Sequence, residues 1–477
     1  MHSVYDFPLT PFETDWLGSN SVFYDLVTSR AALTINELLD GNVINPDLIG
    51  IYNYLNYGFS VYGRTVVENI RMTEPNSVLK RLPTGALSYE SLDDPVAQLI
   101  NQSSTVQDVE NLISEWFDRE QALKPTKETK YILPLSGGFD SAMLAWFLKE
   151  KKNVHAFTYG ISWFQKFSFE TLNARSTAHR LNMNWSQVKL GKFHNFMEVQ
   201  HELYGPTTHA HSMYHFEFYT KILDKLGAGQ FQALSGIYGD IWAGSWNFNT
   251  ELNSSADLRN LAIRHGLYSE RLVKRFQELY PDMSFTIDED AFFKRNRELL
   301  KSPKFRIITA ARIKISLIRH LIDTPTFLGI ETKSPFLDIR VAMSMLNLPE
   351  NIRSNRRWQK SFLKEKNILP RKNLFSDYSN DLDFYGCYSC PPEPFETFED
   401  IPFLPPVQIA ELASKSRVNR RLAILRILNN RILKRFKLRA PSELLDKQYF
   451  AYIDLMLMTP LLKTFSKRPQ SITMVEK

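Results

Sequence analysis

From Tyr131 onward the chain alternates short apolar runs with longer amphipathic ones, and few folds accept that pattern. YILPLS is a strand, SAMLAWFLKEK is a helix that begins on a polar loop, and NVHAFTYG is a second strand. Glu170 to Leu181 carries helical spacing, WSQVKL is a third strand, Phe216 to Leu226 is helical, and FQALSG is a fourth strand. This alternation predicts an α/β fold, a parallel sheet flanked by helices on both faces. Ligands of such sheets bind beyond the carboxyl ends of the strands, so the loops after YILPL and FQAL are where chemistry is expected.

The rest of the chain frames that unit. At 477 residues it exceeds the roughly 250–300 at which single cores stop growing, so more than one structural unit is expected. Residues 1–120 read as a small N-terminal α+β region, closed by connectors at Asn101 to Asp108 and Lys124 to Lys130. The α/β unit occupies 121–390 and includes a largely helical section from Leu258 to Leu348. A Pro-rich passage from Pro391 to Pro406 opens a helical, basic C-terminal extension, 391–477. Two cysteines in such a length point to a reducing compartment. The first residues lack a basic segment followed by an apolar run, and no stretch approaches the roughly 20 apolar residues of a membrane span. The expectation is a soluble, cytoplasmic protein. A net charge of +6 suits a polyanionic ligand but is too small to argue for nucleic acid.

SGGFDS, placed between a strand and a helix, can bind phosphate. Gly137 and Gly138 let the backbone turn tightly and leave N–H groups open to phosphate oxygens. Ser136 and Ser141 add hydroxyl donors, and the following helix turns its positive end to the anion. Asp140 suits a Mg²⁺ ion that bridges phosphate oxygens. No Walker-type G-x-x-x-x-G-K-[ST] is present, so this is a different phosphate loop.

SGGFDS after an apolar strand resembles the PP-loop of ATP pyrophosphatases, and three further matches narrow the resemblance to the synthetase domain of asparagine synthetase-like enzymes. LSGIYGDIWAGS (Leu234 to Ser245) is similar to that family's L-S-G-x-G-x-D-E motif, and ETKSPFLD (Glu331 to Asp338) to its E-x-R-x-P-F-L-D motif. KNLFSD, with Lys372, Phe375, Ser376 and Asp377, resembles its K-x-x-F-S-D segment. YLNYGFSVYGRTVVENI (Tyr54 to Ile70) resembles the stretch where the family's glutaminase half ends. That half opens with a nucleophilic Cys after Met1, where this chain has His2, and the preceding region is too short for a complete glutaminase domain. Glutamine hydrolysis is therefore not carried over.

The resemblance implies an adenine nucleotide alpha hydrolase-like fold and a two-step use of ATP and Mg²⁺. A carboxylate attacks the α-phosphate to give an acyl-adenylate and pyrophosphate, and ammonia or an amine then displaces AMP. It implies ATP and pyrophosphate contacts from Ser136, Gly137, Gly138, Asp140, Ser141 and Gly236, and metal binding by Asp140 and Asp240. Lys372 is the candidate for stabilising charge on phosphorus, with Lys360 as a second phosphate contact or an exposed helix lysine. Glu331 either orients the amine or pairs with a nearby cation. The base is expected beside Ala156 to Tyr159. Two departures stand out: Ile241 replaces the acidic residue after Asp240, and Tyr238 replaces a glycine.

Other signals are weaker. Cys387 and Cys390 form a lone C-x-x-C and read as free thiols in a loop. His209, His211 and His215 cluster before the second motif and read as a polar loop entering a helix, or as a lining of the cleft for the acceptor substrate. Val418 to Leu438 is a basic amphipathic helix that docks on its own domain, meets an acidic partner or touches a membrane surface. The expected activity is an amide-forming ligase acting on a small-molecule or peptide carboxylate, with ammonia supplied free, by a partner or as a substrate amine. A macrolactam-forming peptide cyclase of the same family and a PP-loop enzyme that adenylates an RNA base are the alternatives; PFLD and KNLFSD argue against the latter.

Overall fold

The computed structural model describes residues 11–39, 44–122, 129–149, 151–160, 166, 168–262, 267–371, 401–404 and 443–466. Its centre is a five-stranded parallel sheet built from β1 (Thr129–Pro134), β2 (Val154–Gly160), β3 (Asn184–Lys189), β4 (Gln230–Leu234) and β5 (Ile330–Lys333), in the order β5-β4-β1-β2-β3. The sequence expects four of these strands. The fifth, IETK, lies in a stretch read as helical; it is short and carries one apolar residue, so no periodicity marks it. Its partner supplies what its sequence lacks: Phe231 to Leu234 pair in parallel with Ile330 to Lys333.

Adjacent residues of the inner strands enter different cores, as expected when a sheet is covered on both faces. Leu133 and Ala156 pack with α1 (Phe139–Phe147) and with Ala174 and Ala178 of α2 (Phe169–Arg180). Ile132, Phe157 and Ala233 pack on the opposite side with Phe218, Tyr219 and Ile222 of α3 (Met213–Leu226). Strand order reverses at β1: the chain passes from β1 to β2 on one side, while β4 lies against β1 on the other. That reversal opens the crevice where ligands of such sheets bind, and the loops after β1 and β4 both end there.

The N-terminal region holds two three-stranded antiparallel sheets. The polar stretch 101–108 is only partly a connector, since the helix Val106–Ala122 already begins within it. In the C-terminal extension, the helix Glu443–Phe465 is buried along Tyr452 to Phe465. It packs on the helix Leu48–Tyr57, where Tyr54 donates its hydroxyl to the carbonyl oxygen of Leu457 at 3.0 Å. Residues that face protein all round need no amphipathic stripe, and this helix has apolar residues on every side. The basic segment 418–438 lies outside the described residues, as do Cys387 and Cys390. Among the described residues, no helix is long and apolar enough to cross a membrane.

Candidate active site

Gly137 sets the shape of the first loop. It has φ 73°, and a Cβ there would lie 2.4 Å from the carbonyl oxygen of Glu170 in α2. Only glycine can bring the loop that close in that conformation. Ser141 then ties the turn together: its Oγ accepts from the Ser136 N–H at 3.1 Å and lies 3.0 Å from Ser136 Oγ. Ser136 Oγ in turn accepts from the Gly138 N–H at 3.2 Å. Helix α2 is capped by its own Ser168, whereas α1 starts at Gly138 with no side-chain cap. The first N–H groups of α1 are therefore directed out of the turn without a side-chain acceptor, as phosphate binding requires.

The second loop closes on the first. After β4, Gly236 and Gly239 both face Asp140. A Cβ on Gly239 would lie 2.9 Å from Asp140 Cγ and 2.8 Å from Phe336 Cε2. Tyr238, in place of a glycine, sits at φ 62°, and its hydroxyl donates to the Ala311 carbonyl at 2.8 Å. Ile241 is buried rather than presented to the crevice. Asp240 accepts from Ser245 Oγ at 2.9 Å. Burial pushes the Asp140 carboxyl above its ordinary range; Arg356 opposes this and the charge of Asp240 adds to it.

PFLD is scaffolding for these loops. The Phe336 carbonyl accepts from Trp242 Nε1 at 3.0 Å, and the Leu337 carbonyl from Trp16 Nε1 at 2.9 Å. Asp338 caps the helix Ile339–Leu346 and pairs with Arg119 at 2.8 Å.

A further wall comes from the helix Arg357–Glu365 and the turn before it. Lys360 Nζ stands 5.9 Å from the centroid of the Phe139 ring, in the first loop. Two neighbours that no motif marks complete this wall. Arg356 Nη2 donates to Asp140 Oδ1 at 2.6 Å, and Gln359 Nε2 donates to the same oxygen at 2.9 Å. Spacing alone does not mark them: Gln359 is adjacent to Lys360 and so turns to a different face, and Arg356 lies in the left-handed turn before the helix.

The structure thus gathers Ser136, Gly137, Gly138, Asp140, Ser141, Gly236, Asp240 and Lys360 around one crevice. Glu331 is placed differently. It lies near the start of β5, two residues before the end that faces the crevice, and is held by Lys333 at 3.0 Å and Gln232 at 2.7 Å. Lys333 chiefly holds its carboxyl below the ordinary range. Lys372 and the rest of KNLFSD lie outside the described residues. His209, His211 and His215 are packed at the carboxyl end of β2: His209 accepts from the His211 N–H at 3.2 Å, and His215 lies 6.3 Å from Tyr159.

Asp140 and Asp240 suit a divalent cation, since two like charges at one place need a shared counter-charge. Among the described residues no three His, Cys, Asp or Glu side chains form a metal-binding set. A Mg²⁺ ion held here would complete its oxygen shell from phosphates and water.

The sequence pattern of the asparagine synthase family matches residues 126–374, more than half of the chain. The chain belongs to the asparagine synthase family. A comparison with curated proteins returns no match. The matched span begins just before β1 and contains the whole parallel sheet and both loops. Membership makes this an ATP-dependent, amide-forming ligase of the asparagine synthase family.

Proposed function

We propose that the chain adenylates a substrate carboxylate with ATP, releases pyrophosphate, and passes the acyl group to ammonia or an amine. The observation that carries this is the meeting of the two loops at Asp140, with Gly236 and Gly239 packed against it and an uncapped helix start beside it. A carboxylate is a poor electrophile until its oxygen leaves as part of AMP; the chain's task is to position it and stabilise charge. N–H groups at the start of α1 and the hydroxyls of Ser136 and Ser141 orient the phosphates. Lys360, above the first loop, offsets the negative charge that builds on the α-phosphate. Asp140 and Asp240 would hold Mg²⁺, which neutralises the departing pyrophosphate when bound.

The test is pyrophosphate and AMP release from ATP and Mg²⁺ across a panel of carboxylic acids, with hydroxylamine as the acceptor. Acid-dependent formation of AMP and a hydroxamate supports the reading. Formation of ADP and phosphate instead would overturn it.

A further inference from the structure

The cation that answers Asp140 within the chain is Arg356, and it is held there under strain. Its guanidinium makes a closed set of contacts: Nη2 to Asp140 Oδ1 at 2.6 Å and Nε to Gln359 Oε1 at 2.8 Å, while Gln359 Nε2 donates to Asp140 Oδ1 at 2.9 Å. Its carbon centre lies 4.8 Å from the centroid of the Phe139 ring. The backbone beneath is left-handed at two successive residues, Asn355 at φ 55° and Arg356 at φ 59°. Asparagine tolerates that region, whereas arginine adopts it only against its own steric preference. The side-chain contacts lie on this left-handed turn.

We propose that Arg356 is a resident counter-ion for Asp140, a positioning residue that yields Oδ1 to a divalent cation only when that cation arrives with phosphates. This rests on the reading of Asp140 as a metal ligand. A guanidinium already bonded to Oδ1 weakens the site for a free divalent ion, since the ion must displace a charge-assisted bond and leave a cation stranded beside it. Phosphates remove that penalty, because the displaced guanidinium gains an anion where Lys360 also stands over the Phe139 ring. The site therefore selects a metal–nucleotide complex over the metal alone, and the left-handed turn is the hinge on which Arg356 moves.

The test is Mn²⁺ binding to the full chain, read by electron paramagnetic resonance with and without ATP. Arg356→Gly removes the charge and suits the left-handed backbone, so the variant should fold. It should tighten binding of Mn²⁺ alone by roughly tenfold, and the difference from the parent should shrink once ATP is present. Arg356→Lys keeps the charge but loses the stacked, two-nitrogen fork, so it should tighten binding of Mn²⁺ alone by clearly less than Arg356→Gly. Equal Mn²⁺ affinity in the parent and in Arg356→Gly would overturn the inference, as would equal tightening by Gly and Lys. Asp140→Asn should abolish the strong Mn²⁺ site; if it did not, the metal assignment would fall, and the inference with it.

Discussion

The hydroxyl of Tyr238 donates to the carbonyl oxygen of Ala311 at 2.8 Å, fixing a left-handed residue of the second loop to the long helix Pro303–Ile318. Strain at φ 62° is thereby offset by a buried ring and a hydrogen bond. Tyr238→Phe should lower stability by about 1 kcal/mol, the net value of the bond, since the Ala311 carbonyl keeps its partner within the helix. Tyr238→Gly relieves the backbone but empties the ring's space, and should cost about 3 kcal/mol or more. Urea denaturation should rank the parent first, Phe second and Gly last; a Gly variant equal to the parent would mean that the ring contributes little.

Lys360 and Glu331 separate a crevice role from a sheet-edge role. Lys360 is exposed beside the first loop, so Lys360→Ala should leave the unfolding midpoint nearly unchanged. It should lower the rate of pyrophosphate release by about 10²-fold, as losing a charge-stabilising contact does. Glu331→Gln should cost less than about 1 kcal/mol and leave that rate within a few-fold of the parent, because its carboxylate serves Lys333 and Gln232. A hundredfold rate loss in Glu331→Gln would instead give it a part in handling the amine.

Gly137 tests the phosphate loop through the backbone. An alanine methyl would lie 2.4 Å from the Glu170 carbonyl oxygen and 2.8 Å from Glu170 Cα, both backbone atoms of a helix that cannot yield cheaply. Gly137→Ala should weaken ATP binding by at least tenfold, measured by calorimetry, and lower the melting temperature. Unchanged affinity would show that the loop can open without disturbing its N–H groups.

Acid should destabilise the fold partly through buried histidines. Burial pushes the His194 ring down to about 3, with His211 adding to the shift. Burial also lowers His320 to about 4, although its bond to the Leu317 carbonyl pulls the other way. Against an unfolded value of about 6.5, a depressed folded value means that the unfolded chain takes up more protons below pH 6.5. This stability is complete above about pH 6.5 and is lost as pH falls toward about 4 for His320 and about 3 for His194. Unfolding free energies from urea titrations between pH 7 and 4.5 should fall less steeply in His320→Gln and His194→Gln, by up to about 1.4 kcal/mol per pH unit each. Parallel curves would place the protons elsewhere.

Four of the five central strands were legible because each is a short apolar run between turn signals, and the helices between them carry their own spacing. The fifth was not, since IETK has no such run and becomes a strand by pairing with Phe231 to Leu234. A helical C-terminal extension was expected, but not the place of this helix: residues Tyr452 to Phe465 of the helix Glu443–Phe465 are buried, and that stretch carries no amphipathic stripe to say which face docks.

By itself the sequence determined the alternation that builds the sheet and the glycines that shape the two loops, and it pointed to Asp140 as the acid between them. These are local properties, written in propensity and in the conformations that only glycine adopts easily. Tertiary structure alone decided what meets Asp140. Arg356 lies 216 positions away and Gln359 lies 219 away, and no local preference records which face of a distant helix will be turned toward a loop. Packing of that helix settles its orientation: Trp358 Nε1 donates to the Ala243 carbonyl at 3.2 Å, and the Phe362 ring stacks on Phe147 of α1 at 5.7 Å.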